Sequence, residues 1–181
     1  NGAGKTSILE AVHLLGMGRS FRGTSVKPLI THDHPNCTVF GNLATSKGTG
    51  TQNLSLGVSR GIAGEVEIKV AGAVVRSTAR LAERMPLQAI NSDSFDLLSG
   101  APLARRQYLD WGVFHVEHRF FAQWYRFQRC IKQRNKLLRH GKIDPSELKV
   151  WTTDLVAAGE QVSEFRQAYF DRLAPKFNSV L

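Results

Sequence analysis

The apolar positions along the chain follow two different periods. Residues 8–15 carry apolar side chains at helical spacing, and helical spacing returns after residue 102. Between residues 37 and 76 the chain instead alternates or clusters β-forming residues, with glycine-rich and serine-rich turns between them. The pattern therefore predicts a first helix that ends at Gly16 and Gly18, an antiparallel β meander, and a helical region.

The meander is predicted to have four strands, at residues 37–44, 54–59, 66–70 and 74–75. In the third strand Glu67 and Lys69 alternate with apolar residues, so one face of the sheet should lie in water on the outside of its domain. A short helix over residues 79–85 should end before Pro86. Residues 87–90 are then predicted to form a buried strand.

Three further helices are predicted after residue 100. Pro102 suits the first turn of one helix, and residues 118–139 carry an apolar stripe at steps of three and four. Asp144-Pro145-Ser146-Glu147 supplies an N-cap, a first-turn proline and an early acid, and a heptad seam follows over residues 148–169. We expect the last two helices to pair antiparallel as a short coiled-coil arm, with Pro175 kinking or ending the final one.

The first seven residues, Asn1-Gly2-Ala3-Gly4-Lys5-Thr6-Ser7, match most of the phosphate-binding pattern G-x-x-x-x-G-K-[ST]. The glycines allow backbone N–H groups to approach phosphate oxygens, Lys5 supplies a positive charge for the β and γ phosphates, and Ser7 is a further donor. The Thr6 hydroxyl is a suitable ligand for Mg²⁺. Residues 1–7 are therefore predicted to bind ATP with Mg²⁺. Because the first glycine of the pattern would precede Asn1, we expect the chain to be an internal piece of a longer protein.

Two further segments allow more than one interpretation. Gln88, in the predicted strand, is a candidate to face the metal and the γ-phosphate, although a glutamine within a strand commonly has no such role. The basic loop, residues 18–24, contains Arg19 and Arg22 between glycines. This loop could return towards the nucleotide, contact DNA or be an exposed turn.

The chain has 24 basic and 15 acidic residues, a net charge of +9, and the excess is concentrated in one segment. Residues 119–142 contain no acid and eight basic residues: Arg119, Arg126, Arg129, Lys132, Arg134, Lys136, Arg139 and Lys142. Four of these form a basic stripe on the side of the helix opposite its apolar stripe: Arg129, Lys132, Lys136 and Arg139. The basic stripe predicts a DNA-binding surface, and the alternative is a solvated helix face.

Hydropathy and cysteine content favour a cytoplasmic protein that does not associate with membranes. No run of 18 apolar residues occurs in the sequence. Cys37 and Cys130 have no cysteine or histidine partner at metal-ligand spacing, so both are expected to be reduced, buried thiols.

Taken in order, these motifs resemble the RecF family of bacterial DNA replication and repair ATPases. The resemblance rests on residues 1–12, 18–22, 85–88, 98–102, 105–106, 108–112 and 132–135. It implies an α/β fold class, α+β within this chain: part of an ABC-type P-loop ATPase head with an antiparallel meander, and a helical lobe with a short coiled-coil-like helix pair. The implied division is a partial ATPase head at residues 1–100 (lobe I) and an incomplete helical arm at residues 101–181 (lobe II).

The same resemblance implies a function. It implies an ATP-dependent DNA-binding protein of recombinational repair and replication restart, acting on single-stranded DNA and in the SOS response to damage. It also implies an ATP-dependent homodimer, other recombination-mediator proteins as partners, and slow ATP hydrolysis that DNA stimulates. The phosphate-loop roles are carried over to Asn1, Gly2, Gly4, Lys5, Thr6 and Ser7.

Two departures from the family pattern limit what this chain can be expected to do. The family usually has Pro-Glu where Ser92-Asp93 stands here, which weakens any metal-linked role of that turn. The signature motif, the Walker B acids and the dimer loops of the family would follow residue 181. We therefore expect that this chain alone does not hydrolyse ATP.

Two other classes of protein could also contain residues 1–7. A small-molecule kinase can have the same phosphate loop, but it would also need a compact acceptor site and a lid. A structural coiled-coil protein could carry a glycine-rich turn by chance, but that interpretation leaves the register of Lys5 and Thr6 unexplained.

Overall fold

A computed structural model of the protein describes residues 3–23, 25–47, 50–139 and 143–180. The chain divides into two compact units, Asn1–Ile90 and Asn91–Leu181. The predicted combination of helices with an antiparallel sheet is confirmed. Residues 91–100, which were predicted to belong to lobe I, lie in the second unit, and the assignment of the two units to the two lobes stays a prediction. No helix in the described ranges has the length and apolar character needed to cross a membrane.

The first unit consists of a helix, a four-stranded sheet and a second short helix. In chain order these are α1 (Lys5–Met17), β1 (Asn36–Lys47), β2 (Gly50–Gly61), β3 (Val66–Val70), β4 (Ala73–Val75) and α2 (Ala79–Arg84), with a 3₁₀ turn at Lys27–Leu29. The strands are in the order β1-β2-β3-β4, and every neighbouring pair is antiparallel. The predicted meander is therefore confirmed.

One face of this sheet packs against α1 and α2. Leu14 of α1, Leu81 of α2 and three sheet residues, Leu56, Val58 and Ile68, form the buried core. On the opposite face Glu67 and Lys69 are exposed and form an ion pair at 2.8 Å between Oε1 and Nζ. The alternation of charged and apolar residues along β3 thus gives one buried and one solvated face, as predicted.

Two sequence predictions for this unit were wrong. Gly16 does not end α1, because it lies inside the helix where its missing side chain admits Leu87: a Cβ on Gly16 would be 3.2 Å from the Leu87 Cβ. The helix ends at Gly18, whose φ of 67° is in the left-handed region. Residues 87–90 form no strand, and Ile90 is 88% exposed. Their apolar composition was misleading, because a buried strand needs a neighbouring strand and none of the described strands pairs with this segment.

The second unit is helical. It contains a 3₁₀ turn at Ser92–Leu97 followed by α3 (Pro102–Val116), α4 (Phe120–Leu138) and α5 (Pro145–Asn178). Asp144 caps α5, because its Oδ1 accepts hydrogen bonds from the Ser146 and Glu147 backbone N–H groups at 2.8 and 3.4 Å. Pro175 does not end this helix, which continues to Asn178. Only the last turn lies beyond the proline, so its missing N–H affects one bond near the helix end.

Helices α4 and α5 pair antiparallel, as predicted. Contacts join Arg119 to Phe165, Arg126 to Asp154 and Arg134 to Thr152. The residue numbers rise along α4 while those of their partners fall along α5, so the two helices run in opposite directions. Val113 of α3, Phe120 of α4 and Val162 of α5 form the buried core, with partly buried aromatic and leucine side chains around them. Every residue of the predicted heptad seam is buried or half-buried: Leu148, Trp151, Leu155, Ala158, Val162, Phe165 and Tyr169.

Candidate nucleotide-binding and nucleic-acid-binding sites

The predicted phosphate loop leads directly into α1. Asn1 and Gly2 lie outside the described residues, and Ala3 and Gly4 are exposed. Gly4 precedes the helix with φ 77° and ψ 3°, a left-handed conformation that residues with a side chain rarely adopt. The helix therefore begins at Lys5 because the preceding glycine turns the backbone sharply into it.

The first turn of α1 has the features of an anion site. Lys5, Thr6 and Ser7 are all exposed, no side chain caps the helix start, and the first turn contains no acid. The first backbone N–H groups of a helix have no acceptor within the helix, and the helix dipole makes this end positive. A positively charged lysine at the positive end of a helix lowers the stability of that helix. The position of Lys5 is therefore better explained by binding of an anionic ligand than by a contribution to helix stability.

The same turn fits magnesium as predicted for Thr6. Its hydroxyl is a hard oxygen ligand, and Mg²⁺ commonly takes few protein ligands and completes its shell with water and phosphate oxygens. When bound, the ion would neutralise phosphate charge. The positions of Ala3, Gly4, Lys5, Thr6 and Ser7 are thus compatible with nucleotide binding, and their individual roles stay predictions.

Three buried polar residues, which the sequence analysis did not identify, hold the basic loop against α1. Glu10, His13 and Ser20 are each less than 9% exposed. Glu10 accepts a short hydrogen bond from the Ser20 hydroxyl at Oε1 and a 3.3 Å bond from the Phe21 backbone N–H at Oε2. The His13 Nδ1 donates to the Arg19 carbonyl oxygen at 2.7 Å. The basic loop therefore returns to the helix that begins at the predicted phosphate loop.

The loop and the first turn of α1 share a cavity. Ser7, Glu10 and Arg22 line this space of about 240 Å³ together with apolar residues, among them Pro28 and Val39. Of the three interpretations of the basic loop, a return towards the nucleotide segment agrees best with this arrangement. The sequence did contain one signal, because Glu10 lies one helical turn before the buried Leu14 and is charged on a buried face.

We expect Glu10→Ala to release the basic loop. The substitution leaves the Ser20 hydroxyl and the Phe21 N–H without their acceptor, which should lower the free energy of unfolding of this unit by about 1–3 kcal/mol. Urea unfolding and hydrogen exchange at the Phe21 and Arg22 amides would measure the two effects. Glu83→Ala is the matched control, because Glu83 is an acid in the same unit whose ion pair with Arg80 lies at the surface. Equal unfolding and exchange in both variants would contradict the role of Glu10.

Gln88 is exposed in a segment without regular structure. Its neighbour Leu87 lies beside Gly16, near the C-terminal end of α1 and about 16 Å along the helix from Lys5. The predicted role of Gln88 at the metal and γ-phosphate stays a prediction, and this geometry adds nothing in its favour.

The basic stripe is exposed along its whole length: Arg129, Lys132, Lys136 and Arg139. The Arg129 guanidinium lies 5.8 Å from the ring centroid of Trp151. In the part of the chain that the structure describes, no carboxylate lies within 4 Å of the other three cationic groups. Lys132, Lys136 and Arg139 therefore present positive charge that is not paired with a described acid.

Other basic residues of the same segment are engaged within the unit. Arg119 donates two hydrogen bonds to the Glu117 carboxylate, which lower the pKa of Glu117 to about 2. The hydrogen bond from Arg126 likewise lowers the pKa of Asp154. Arg134 donates to the Thr152 hydroxyl at 3.2 Å, and Lys142 lies outside the described residues. Both acids are ionised at neutral pH, so they offset two of the charges and leave the basic stripe as the net positive face.

Comparison with known proteins points to one family. No protein-family model matches the chain. It is 52% identical over 181 residues to the DNA replication and repair protein RecF of Azotobacter vinelandii, 52% identical to that of Pseudomonas syringae pv. syringae, and 50% identical to that of Stutzerimonas stutzeri. Each match covers 100% of this chain and 48–49% of the relative, so the chain spans about half the length of these curated relatives.

Solved structures agree with the sequence relatives. The recombination mediator protein RecF-ATP of the RecFOR pathway has a TM-score of 0.80 and 25% identity, and the match covers 96% of this chain and 46% of that one. A second RecF structure of the same pathway, named RecF-ATPrS, has a TM-score of 0.78 and 26% identity. The combination of helices with an antiparallel sheet is therefore the fold of the corresponding part of these ABC ATPase-like structures.

Proposed function

This chain belongs to the RecF family of DNA replication and repair proteins, and from that premise we propose that it is the nucleotide-responsive, DNA-contacting part of an ATP-dependent DNA-binding protein. The observation that carries the proposal is the start of α1. Gly4, in a left-handed conformation, leads into an exposed first turn that carries Lys5, Thr6 and Ser7 together with the first backbone N–H groups of the helix. The RecF structures named for ATP and ATPrS support ATP as the ligand of this turn.

In this proposal residues 1–7 bind the phosphates of ATP, with Mg²⁺ at Thr6, and Gln88 is a further candidate contact. The basic stripe binds the DNA backbone. ATP promotes a homodimer on DNA, and other recombination-mediator proteins are its partners, in agreement with the RecFOR pathway named for the structural relatives. We also propose a cytoplasmic location, because the DNA of a bacterial cell lies there.

Hydrolysis is proposed to be slow and stimulated by DNA in the full-length protein. Catalysis of phosphoryl transfer depends on positioned charges around the γ-phosphate, and the described residues near the first turn of α1 offer a lysine and hydroxyls but no acid in that turn. The activity would serve recombinational repair and replication restart, including the response to DNA damage.

The proposal is tested by measuring DNA binding of the full-length protein with and without nucleotide. Fluorescence anisotropy of labelled DNA should show tighter binding with ATP and Mg²⁺ than with ADP or with no nucleotide, and light scattering should show a dimer in the ATP sample. Binding that is indifferent to nucleotide, or a monomer under all conditions, would contradict it.

A further inference from the structure

A chain of six neighbouring rings crosses from α3 to α4 within the second unit. Successive ring centroids are separated by 6.3, 4.7, 5.1, 5.8 and 6.5 Å. We call these residues the aromatic track: Tyr108, Trp111, His115, Phe114, Phe121 and Tyr125, in the order of their contacts. The track is continuous, because each ring touches the next without an intervening aliphatic residue.

Both ends of the aromatic track are exposed. Tyr125 is 62% exposed, and Tyr108 and Phe121 are 39% and 36% exposed. Trp111, Phe114 and His115 are half-buried between them and hold the track in position. Within the described ranges the Tyr125 hydroxyl has no hydrogen-bond partner, and the ring contacts the ring of Phe121. Large exposed rings in a row are unusual on a surface that has no ligand.

The exposed rings lie on the same face of α4 as the basic stripe. Phe121, Tyr125 and Arg129 follow one another at steps of four residues. Lys132 and Lys136 continue the same face of the helix at further steps of three and four residues. The face extends for about 27 Å from residue 121 to residue 139. It begins with rings and continues with cations, and it includes no acid.

We propose that this face of α4 is a binding site for an unpaired DNA strand, whose bases stack on Tyr125 and Phe121 while its phosphates contact Lys132, Lys136 and Arg139. The inference rests on the proposed function, because it takes the basic stripe to bind DNA. Exposed aromatic rings beside a positive groove are the combination by which proteins hold single strands without reading their sequence. A duplex keeps its base faces inside the helix, so it could use the cations but not the rings. The length of the face suits about four nucleotides, the lower end of single-strand site sizes.

A protein partner could also cover exposed rings, but the charge of this face favours a nucleic acid. Three cations without a described carboxylate partner follow the rings along one helix. Interfaces between proteins commonly deplete lysine, whereas phosphate-binding surfaces enrich it.

The test compares two DNA forms on variants of the full-length protein with ATP. Fluorescence anisotropy would measure affinity for a labelled dT oligonucleotide of 20 nucleotides and for a 20-base-pair duplex, each across a salt series. Tyr125→Ala should weaken dT binding by about 5- to 150-fold, the range for the loss of one base stack, with the duplex affinity and the salt slope unchanged. Tyr125→Phe keeps the ring and should bind dT as the wild type does. Phe177→Ala is the matched control, because Phe177 is an equally exposed ring of α5 (63%) outside the aromatic track.

Several outcomes would overturn the inference. One is dT binding by Tyr125→Ala equal to that of Tyr125→Phe, and another is an equal loss on dT and duplex. A third is intact dT binding together with loss of the dimer in light scattering, which would assign the ring to a protein contact. If the wild type binds the duplex with ATP but Tyr125→Ala has no effect on dT, the inference fails and the proposed function survives. If the wild type binds neither DNA form, both fail.

Discussion

Lys5→Ala is expected to abolish ATP-dependent dimerisation of the full-length protein. Lys5 is the positive side chain of the exposed first turn of α1, where it would contact the β and γ phosphates. Loss of one charge-assisted contact should weaken ATP binding by about 10- to 150-fold. Because a dimer that depends on bound ATP cannot form when the site is empty, the loss of dimer should be complete at moderate ATP concentrations.

The folded structure should survive this substitution, which makes the result interpretable. Alanine favours helix more than lysine does, and removal of a positive charge from a helix N-terminus relieves an unfavourable interaction with the dipole. Light scattering with and without ATP measures the dimer, and circular dichroism checks the helix content. Lys27→Ala is the matched control, because Lys27 is an exposed lysine of the same unit in the 3₁₀ turn. A normal ATP-induced dimer in Lys5→Ala would remove the basis for assigning nucleotide to residues 1–7.

The elements of this fold that depend on local sequence signals were predictable. The strand alternation in β3, the cap at Asp144 and the heptad seam of α5 each act within a few residues, and each appears in the structure as predicted. The antiparallel pairing of α4 and α5 followed from the seam and the short connection between the helices.

The features that depend on distant neighbours were not predictable. Gly16 was predicted to end α1, because the sequence does not show that Leu87 packs against it. Residues 87–90 have the composition of a strand, but strand formation requires a partner elsewhere in the chain. Ile8 and Leu9 contribute to the apolar pattern of α1, yet they are 66% and 61% exposed, because periodicity gives the faces of a helix and not the elements that cover them.

The two candidate sites were predictable to different extents. The phosphate loop is a prediction that a sequence motif can make, because the chemistry is local: a glycine, a lysine and a hydroxyl in consecutive positions. The anchoring of the basic loop by Glu10 depends instead on hydrogen bonds across ten residues or more. The aromatic track joins rings of two helices, and only packing shows that Phe114 of α3 touches Phe121 of α4.

The sequence also does not show which basic residues of α4 contact an acid of the same unit and which do not. Arg126 is one of eight cations in a segment without acids, but Asp154 of α5 lies against it. Hydrogen bonds from Arg126 and from the Cys130 thiol lower the pKa of Asp154, so this acid keeps its charge to a lower pH than an ordinary aspartate does. A substitution at Arg126 would therefore disturb the pairing of α4 and α5, whereas Lys132 and Lys136 can be changed without breaking a described contact.

Reversal of charge at these two lysines, Lys132→Glu with Lys136→Glu, is expected to weaken DNA binding strongly and for every DNA sequence. Each phosphate contact releases condensed counterions, so the loss of two contacts should reduce the slope of log affinity against log salt by about 2 on a duplex. The two introduced carboxylates also repel phosphates, and at low salt the affinity should fall on the order of a hundredfold. Helicity should persist, because both side chains are exposed and lie away from the apolar stripe.

Arg172→Glu with Lys176→Glu is the control that isolates position from net charge. These two exposed residues lie near the end of α5, outside the basic stripe, and their reversal changes the net charge by the same amount. Anisotropy titrations of both variants across a salt series, on a duplex and on a single strand, distinguish a local site from general attraction. If the two variants lose affinity equally, the effect is one of net charge and the basic stripe is a solvated face. A large loss with a flatter salt slope in the α4 variant alone would instead place the DNA backbone along α4, because counterion release depends on which phosphates are contacted.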